Sequence, residues 1–143
     1  MEIKIANTDA EIMACLPVIK ELRPNVEGSN FIERVKKMGV QGYKIAYLAK
    51  RGKPVACMGF REMEMLYTGP SLYIDDLVTL SAERSKGCGE ALIKWAVDYA
   101  RSRNHKVVHL DSGTQRHDAH RFYMREKFHI SSYHFTLDLA FHA

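Results

Sequence analysis

The chain has 143 residues, 46% apolar and 27% charged. That balance suits one soluble globular domain and contains no apolar run long enough to cross a bilayer. The net charge of +4 is modest, and there is no basic tail, zinc-finger spacing or stacking aromatic pair in a basic stripe. A nucleic-acid module is therefore disfavoured, while an anionic small ligand is not.

Residues 2–6 alternate weakly and predict a short strand. Thr8 and Glu11 have capping-box spacing, and Ile12, Leu16 and Ile19 share a helical face behind them. Pro17 removes one intrahelical hydrogen bond and predicts a kink or break between Met13 and Pro17. Arg23-Pro24 ends that helix. A second helix is expected from Ser29 or Asn30, capped through Asn30 and Glu33 and stopped at Gly39 or Gly42. Tyr43, Ile45 and Tyr47 then alternate with Lys44, Ala46 and Leu48, a strand pattern. Arg51-Gly52-Lys53-Pro54 reads as the turn of a hairpin that returns over Val55–Leu66. A second turn, Leu66–Pro70, leads into a third strand over Leu72–Leu80, completing an antiparallel meander.

That third strand breaks its own pattern. Ile74, Val78 and Leu80 want an apolar side, yet Asp76 interrupts them beside Asp75. Neighbouring residues of an ideal strand face opposite sides, so both aspartates reach one cleft only if a bulge intervenes. A basic turn, Ser81 to Gly89, follows, and a helix begins near Cys88–Ala91. Leu92, Trp95, Ala96 and Tyr99 face inward from it. Lys106–Asp111 is the next strand, so strand, helix and strand form a right-handed parallel crossover. Ligands of such units sit at the carboxyl ends of the strands. A short helix is expected over Ala119–Lys127. Tyr133, Phe135, Leu137, Leu139 and Phe141 then alternate with polar residues and predict a final strand whose apolar face needs a partner. The fold class is α/β in the mixed α+β sense, with a mostly antiparallel central sheet flanked by helices. One domain over 1–143 is expected.

The basic turn carries the chemistry. Gly87 and Gly89 permit tight dihedrals and close approach of a ligand to the backbone. The helix start leaves N–H groups unpaired, and phosphate satisfies such groups with help from the helix dipole. The glycine spacing is neither that of a P-loop nor that of a dinucleotide fingerprint.

Two stretches together resemble the GCN5-related N-acetyltransferase (GNAT) family. The first is Arg84-Ser85-Lys86-Gly87-Cys88-Gly89, between a strand and an apolar helix. The second runs Ala119-His120-Arg121-Phe122-Tyr123-Met124-Arg125-Glu126-Lys127-Phe128. The resemblance implies a single-domain acyl-CoA N-acyltransferase fold with a splayed parallel strand pair, and acetyl-CoA as cosubstrate with no metal. It implies that the turn from Arg84 through Ser85, Lys86, Gly87 and Cys88 to Gly89 holds the pyrophosphate. Leu77 and Val78 would then offer backbone groups to the pantetheine arm and thioester carbonyl. Tyr123 would protonate, or hydrogen-bond to, the departing thiolate. Two positions depart from the family pattern. Lys127 stands where the family commonly has glycine. The family's asparagine is absent from the loop after the second parallel strand, leaving Ser112, Thr114 or Asp118 to contact pantetheine. Asp75 and Asp76 are the nearest candidates for a base or for attracting the amine.

The expected reaction is direct attack of a primary amine, carried by a small molecule or peptide, on the acetyl thioester. Whether another acyl group is preferred is left open by these residues. The alternative is an acyl-CoA-binding sensor without catalysis. Covalent catalysis by Cys88 with His117 or His120, and a metal at His117, His120 and Asp118, are weaker readings. Cys15, Cys57 and Cys88 are too scattered for a disulfide framework and point to a reducing, cytoplasmic setting. The start of the chain shows no export signal. A homodimer through the final strand is expected, with no nucleic-acid or membrane partner.

Overall fold

In the computed structural model, residues 2–140 are described. They form two compact units that divide after Leu110.

The first unit is built on a five-stranded sheet whose strands lie in chain order. They are β1 (Ile3–Ile5), β2 (Tyr43–Lys50), β3 (Lys53–Met65), β4 (Gly69–Thr79) and β5 (Val107–Leu110). Pairing is antiparallel from β1 to β4 and parallel between β4 and β5. The meander therefore forms as the alternation predicts. The β2–β3 turn is tighter than the four residues expected. Arg51 and Gly52, at φ 52° and 76°, bend it alone. Two positive φ values in a two-residue loop match the twist of a hairpin.

Helix α1 (Asp9–Leu22) starts on the expected capping box. Thr8 accepts from the Glu11 amide, and Glu11 accepts from the Thr8 amide. The helix runs through Pro17 and is not broken there. Buried Ile12, Cys15, Val18 and Ile19 hold it on the sheet, and that packing outweighs one missing hydrogen bond. Helix α2 (Phe31–Gly39) follows a 3₁₀ turn at Gly28–Asn30. The Asn30 side chain makes no capping bond, so the cap expected with Glu33 does not form; the 3₁₀ turn enters the helix instead.

Helices α1 and α2 cover the sheet face that presents Tyr43, Ile45, Tyr47 and Cys57. Helix α3 (Cys88–Ser102) packs on the other face, where Phe60 meets Trp95 and Tyr99 edge-on at ring distances of 5.6 and 5.5 Å. Both faces of β3 and β4 are thus covered.

In the second unit, α4 (His117–Arg125) begins two residues earlier than predicted. Tyr123 packs edge-on against Phe122 and Phe128. The predicted final strand does not form among the described residues, where 128–140 have no strand partner. Tyr133 and Phe135 are 84% and 92% exposed, and Leu137 and Leu139 are also exposed. Alternation supplies an apolar face, but a strand exists only where a neighbour completes its ladder. Phe141, the last residue of that pattern, lies outside the described residues.

Candidate active site

The site grows from the free edge of β4. The parallel ladder to β5 runs from Ser71↔Val107 to Ile74↔Leu110 and stops there. On its other side β4 stays paired with β3 as far as Thr79, opposite Ala56. From Asp75 to Thr79 the strand is therefore laddered on one side only. Leu77 and Val78 lie in this stretch, opposite Met58 and Cys57. Backbone groups pointing away from β3 are left for something other than a strand.

The strand delivers the chain into the basic turn. A 3₁₀ turn at Ser81–Glu83 leads to Arg84, then to Ser85 at φ 61°. Gly87, at φ 85°, is the left-handed N-cap of α3 and offers no capping side chain. A Cβ on Gly87 would meet nothing within 4 Å, so glycine is required there by backbone conformation and the space above it is open. The amides beginning α3 therefore face an uncapped, accessible end with the positive pole of the helix behind them.

Arg84 and Lys86 are exposed. Arg84 donates to the Thr79 carbonyl at 3.4 Å and lies 3.8 Å from Glu21. Lys86 and Lys50 share Glu83, at 3.4 and 2.9 Å. The hydrogen bond from Lys50 holds the Glu83 carboxyl below its usual range. Cys88 is only 1% exposed, so its thiol belongs to the core and only its amide belongs to the turn. A nucleophilic Cys88 lacks the access it would need.

A bulge between Gly59 and Phe60 places Asp75 as an extra residue opposite β3. It brings both aspartates to one set of cations. Arg61 donates from Nε to Asp75 Oδ2 at 2.9 Å and from Nη1 to Gln41 at 3.2 Å. Arg23, at the end of α1, donates from Nε to Asp76 Oδ1 at 2.9 Å and from Nη2 to the Asp75 carbonyl at 3.1 Å. Tyr43 donates its hydroxyl to Asp76 Oδ2 at 2.8 Å, and the Arg61 guanidinium stands 5.4 Å over its ring.

Burial pushes the Asp75 carboxyl up, against the hydrogen bonds of Arg61. Burial, with the Asp76 charge beside it, pushes the Tyr43 phenol far up, so Tyr43 stays a donor. Sequence reasoning missed Arg23, Tyr43 and Arg61. The available signal was Gly59, a glycine inside a strand and a mark of a bulge or of close approach.

In the second unit, the Ser112 hydroxyl is buried and has no hydrogen-bond partner among the described residues. Such a group calls for a ligand or water. Thr114 is exposed. His120 pairs with the Gly113 carbonyl at 2.7 Å, and its ring lies 6.0 Å from that of His117. Among the described residues no group of three His, Cys, Asp or Glu could hold a metal ion. Tyr123 has its phenol pushed up by burial, against the opposing influence of Arg116.

The family model of the GNAT acetyltransferases matches residues 14–128. The chain belongs to the GNAT family and is an acetyltransferase. This acetyltransferase is 36% identical over 121 residues to YhdJ of Bacillus subtilis, an uncharacterized N-acetyltransferase, covering 83% of this chain and 85% of that one. Over 63 residues it is 38% identical to the aminoalkylphosphonate N-acetyltransferase of Salmonella typhimurium, a match covering 44% of this chain and 41% of that protein.

Among solved structures, its fold matches a ribosomal-protein-alanine N-acetyltransferase from Brucella melitensis at a TM-score of 0.82 and 15% identity, covering 96% of this chain and 99% of that one. It also matches an aminoglycoside N-acetyltransferase, AAC(6′)-Iy, solved with CoA, at a TM-score of 0.82 and 9% identity, covering 96% and 94%.

Proposed function

We propose that this acetyltransferase moves an acetyl group from acetyl-CoA to a primary amine by direct attack, with both substrates held at once. The observation that carries this reading is a single run of chain. Strand β4 continues five residues past its last pairing with β5 and then opens into the uncapped start of α3.

Acetyl-CoA supplies an activated thioester. In this reading, the amides from Ser85 to Gly89, with Arg84 and Lys86 beside them, bind the pyrophosphate. Backbone groups of Leu77 and Val78 align the pantetheine arm and stabilise charge developing on the thioester oxygen. Ser112, with Thr114 near it in the loop, contacts the pantetheine amides.

Holding two substrates in register supplies much of the rate. The remaining obstacle is the ammonium. A lysine-like amine of pKa about 10.4 is neutral in about one molecule in 2500 at pH 7, a deficit of about 4.6 kcal/mol. Asp75 and Asp76 sit where the amine must approach the open edge of β4. Both already face a guanidinium, which offsets their pull on a cationic amine, so in this reading they act first by orienting it. Asp75, raised by burial, is the better placed of the two to accept a proton through water.

Tyr123 faces the departing sulfur in this reading. Its raised pKa makes it a hydrogen-bond donor to a thiolate rather than a complete proton source. The acceptor is a small-molecule or peptide amine. One catalytic domain over 1–143, a cytoplasmic location and a homodimer through the apolar alternation of 133–139 complete the proposal.

Calorimetry with CoA, followed by a thiol-release assay over an amine panel, tests the reading. Binding and release with at least one amine are expected. Absence of CoA binding overturns it, and binding without release by any amine favours the sensor. Tyr123→Phe should keep CoA affinity within about twofold and slow turnover at least about tenfold.

A further inference from the structure

The bulge in β4 is held from outside the strand. Arg23 is the first residue past α1, and its two donors divide between the two aspartates of the bulge. Nε goes to the Asp76 carboxylate at 2.9 Å and Nη2 to the Asp75 carbonyl at 3.1 Å. The other Asp76 oxygen takes the Tyr43 hydroxyl at 2.8 Å, and Tyr43 belongs to β2, two strands away. Room for this contact exists because residue 59 is glycine. A Cβ there would lie 2.1 Å from the Tyr43 hydroxyl and 2.6 Å from Asp76 Oδ2.

One side chain thus ties the end of α1 to the backbone of the bulge, and Asp76 ties that bulge to β2. A carbonyl that has no partner on β5 is held instead by a guanidinium. The residues immediately downstream, Leu77 and Val78, are those whose free backbone edge meets the thioester in the reading above.

We propose that Arg23, through Asp76, Tyr43 and the Asp75 carbonyl, is a positioning residue that fixes the β4 bulge and so aims the Leu77–Val78 backbone at the acyl group. This rests on the acetyl-transfer reading of the β4 edge. A displacement of about 1 Å at such a position can cost about a hundredfold in rate. The guanidinium is needed for its fork: an ammonium at this place can reach the carboxylate or the carbonyl, but not both in one plane. Arg23 is half-exposed while Asp76 is only 14% exposed, so Arg23→Ala should cost some stability, but the Tyr43 hydroxyl still donates to Asp76 and the sheet stays assembled.

Three variants and two readouts test the proposal. Arg23→Ala should lower kcat at least about tenfold, with the CoA dissociation constant within about twofold, because the pyrophosphate is held at the start of α3. Arg23→Lys should recover part of that loss. Lys36→Ala removes an exposed ion pair between α2 and Asp9, at the start of α1, and should leave both constants unchanged.

The second readout needs no substrate. Backbone amide resonances from Asp75 to Val78 should shift in Arg23→Ala, while those of Gly87 and Gly89 stay in place. Unchanged kcat, or unchanged resonances at Asp75–Val78, overturns the proposal, as does full rescue by lysine. A wild-type protein that binds no CoA refutes the acetyl-transfer reading instead, and the resonances then decide the lock alone.

Discussion

The two faces of β3 carry neighbouring charges that do opposite work. Arg61 points toward α1 and α2 and pairs with Asp75 at the bulge. Glu62, the next residue, points toward α3 and collects His105 at 2.8 Å, Lys44 at 3.8 Å, the Tyr99 hydroxyl at 3.3 Å and Arg103. Burial pushes the Glu62 carboxyl up, but hydrogen bonds from His105 and Arg103 outweigh it and hold the group low. Asp75 has one strong cation and a deeper position, so burial wins there and its carboxyl is raised. The same pairing of acid and cation therefore yields an inert anchor on one face and a poised carboxyl on the other. What differs is the number of donors set against burial.

The largest test of this contrast is steric. Gly59→Ala drives a methyl into the Tyr43–Asp76 contact, where the buried Tyr43 ring and the Asp76 carboxylate must both shift and their hydrogen bond must break. We expect a loss of about 3 kcal/mol in denaturant unfolding, and CoA-dependent activity should fall with it. An alanine with native stability would mean that the bulge has slack and that the donors around it are replaceable.

On the α3 face, Glu62→Gln should cost about 1–2 kcal/mol at pH 7, since it removes a charged acceptor from several donors. The variant also sharpens the comparison by pH. A carboxyl held low in the folded state contributes stability that is present above its unfolded pKa of about 4.5 and is lost as pH falls through the folded value. Glu62→Gln should therefore flatten the decline of melting temperature below about pH 4.5. Asp75 has the opposite sign. Its folded pKa lies above the unfolded value, so ionising it costs stability as pH rises from about 4 upward. Asp75→Asn should make the acid decline steeper. Parallel pH profiles in the two variants would erase the distinction between the faces.

The smallest effect lies away from both. Lys127 has φ 72° at the end of α4, where the resemblance expects glycine. Lys127→Gly should gain about 1 kcal/mol in thermal unfolding by removing left-handed strain at a side-chain-bearing residue.

Much of this was legible in the chain. Thr8 and Glu11 announced a capping box that forms as read. The alternation from Tyr43 to Leu80 gave three strands, and the turn from Arg84 to Gly89 gave an open helix start. These are local signals, set by dihedral preference and by a periodicity that a few neighbouring residues impose. Pro17 does not break α1 because tertiary burial outweighs one lost hydrogen bond. The alternation from Tyr133 to Leu139 misled because it declares a face and not a ladder. Arg23 gave no warning of its role. It stands 52 residues from Asp75 and 53 from Asp76, and read in sequence it simply closes a helix.

The sequence alone determined the family, the glycine-bearing turn before α3, and the meander with its parallel crossover, because each is written in contiguous residues whose backbone requirements are local. Only the tertiary structure decided which cations neutralise the two aspartates, and that a bulge opposite Gly59 turns both toward Arg23. Those outcomes depend on distances between residues far apart in the chain, fixed by packing that no stretch of sequence encodes by itself.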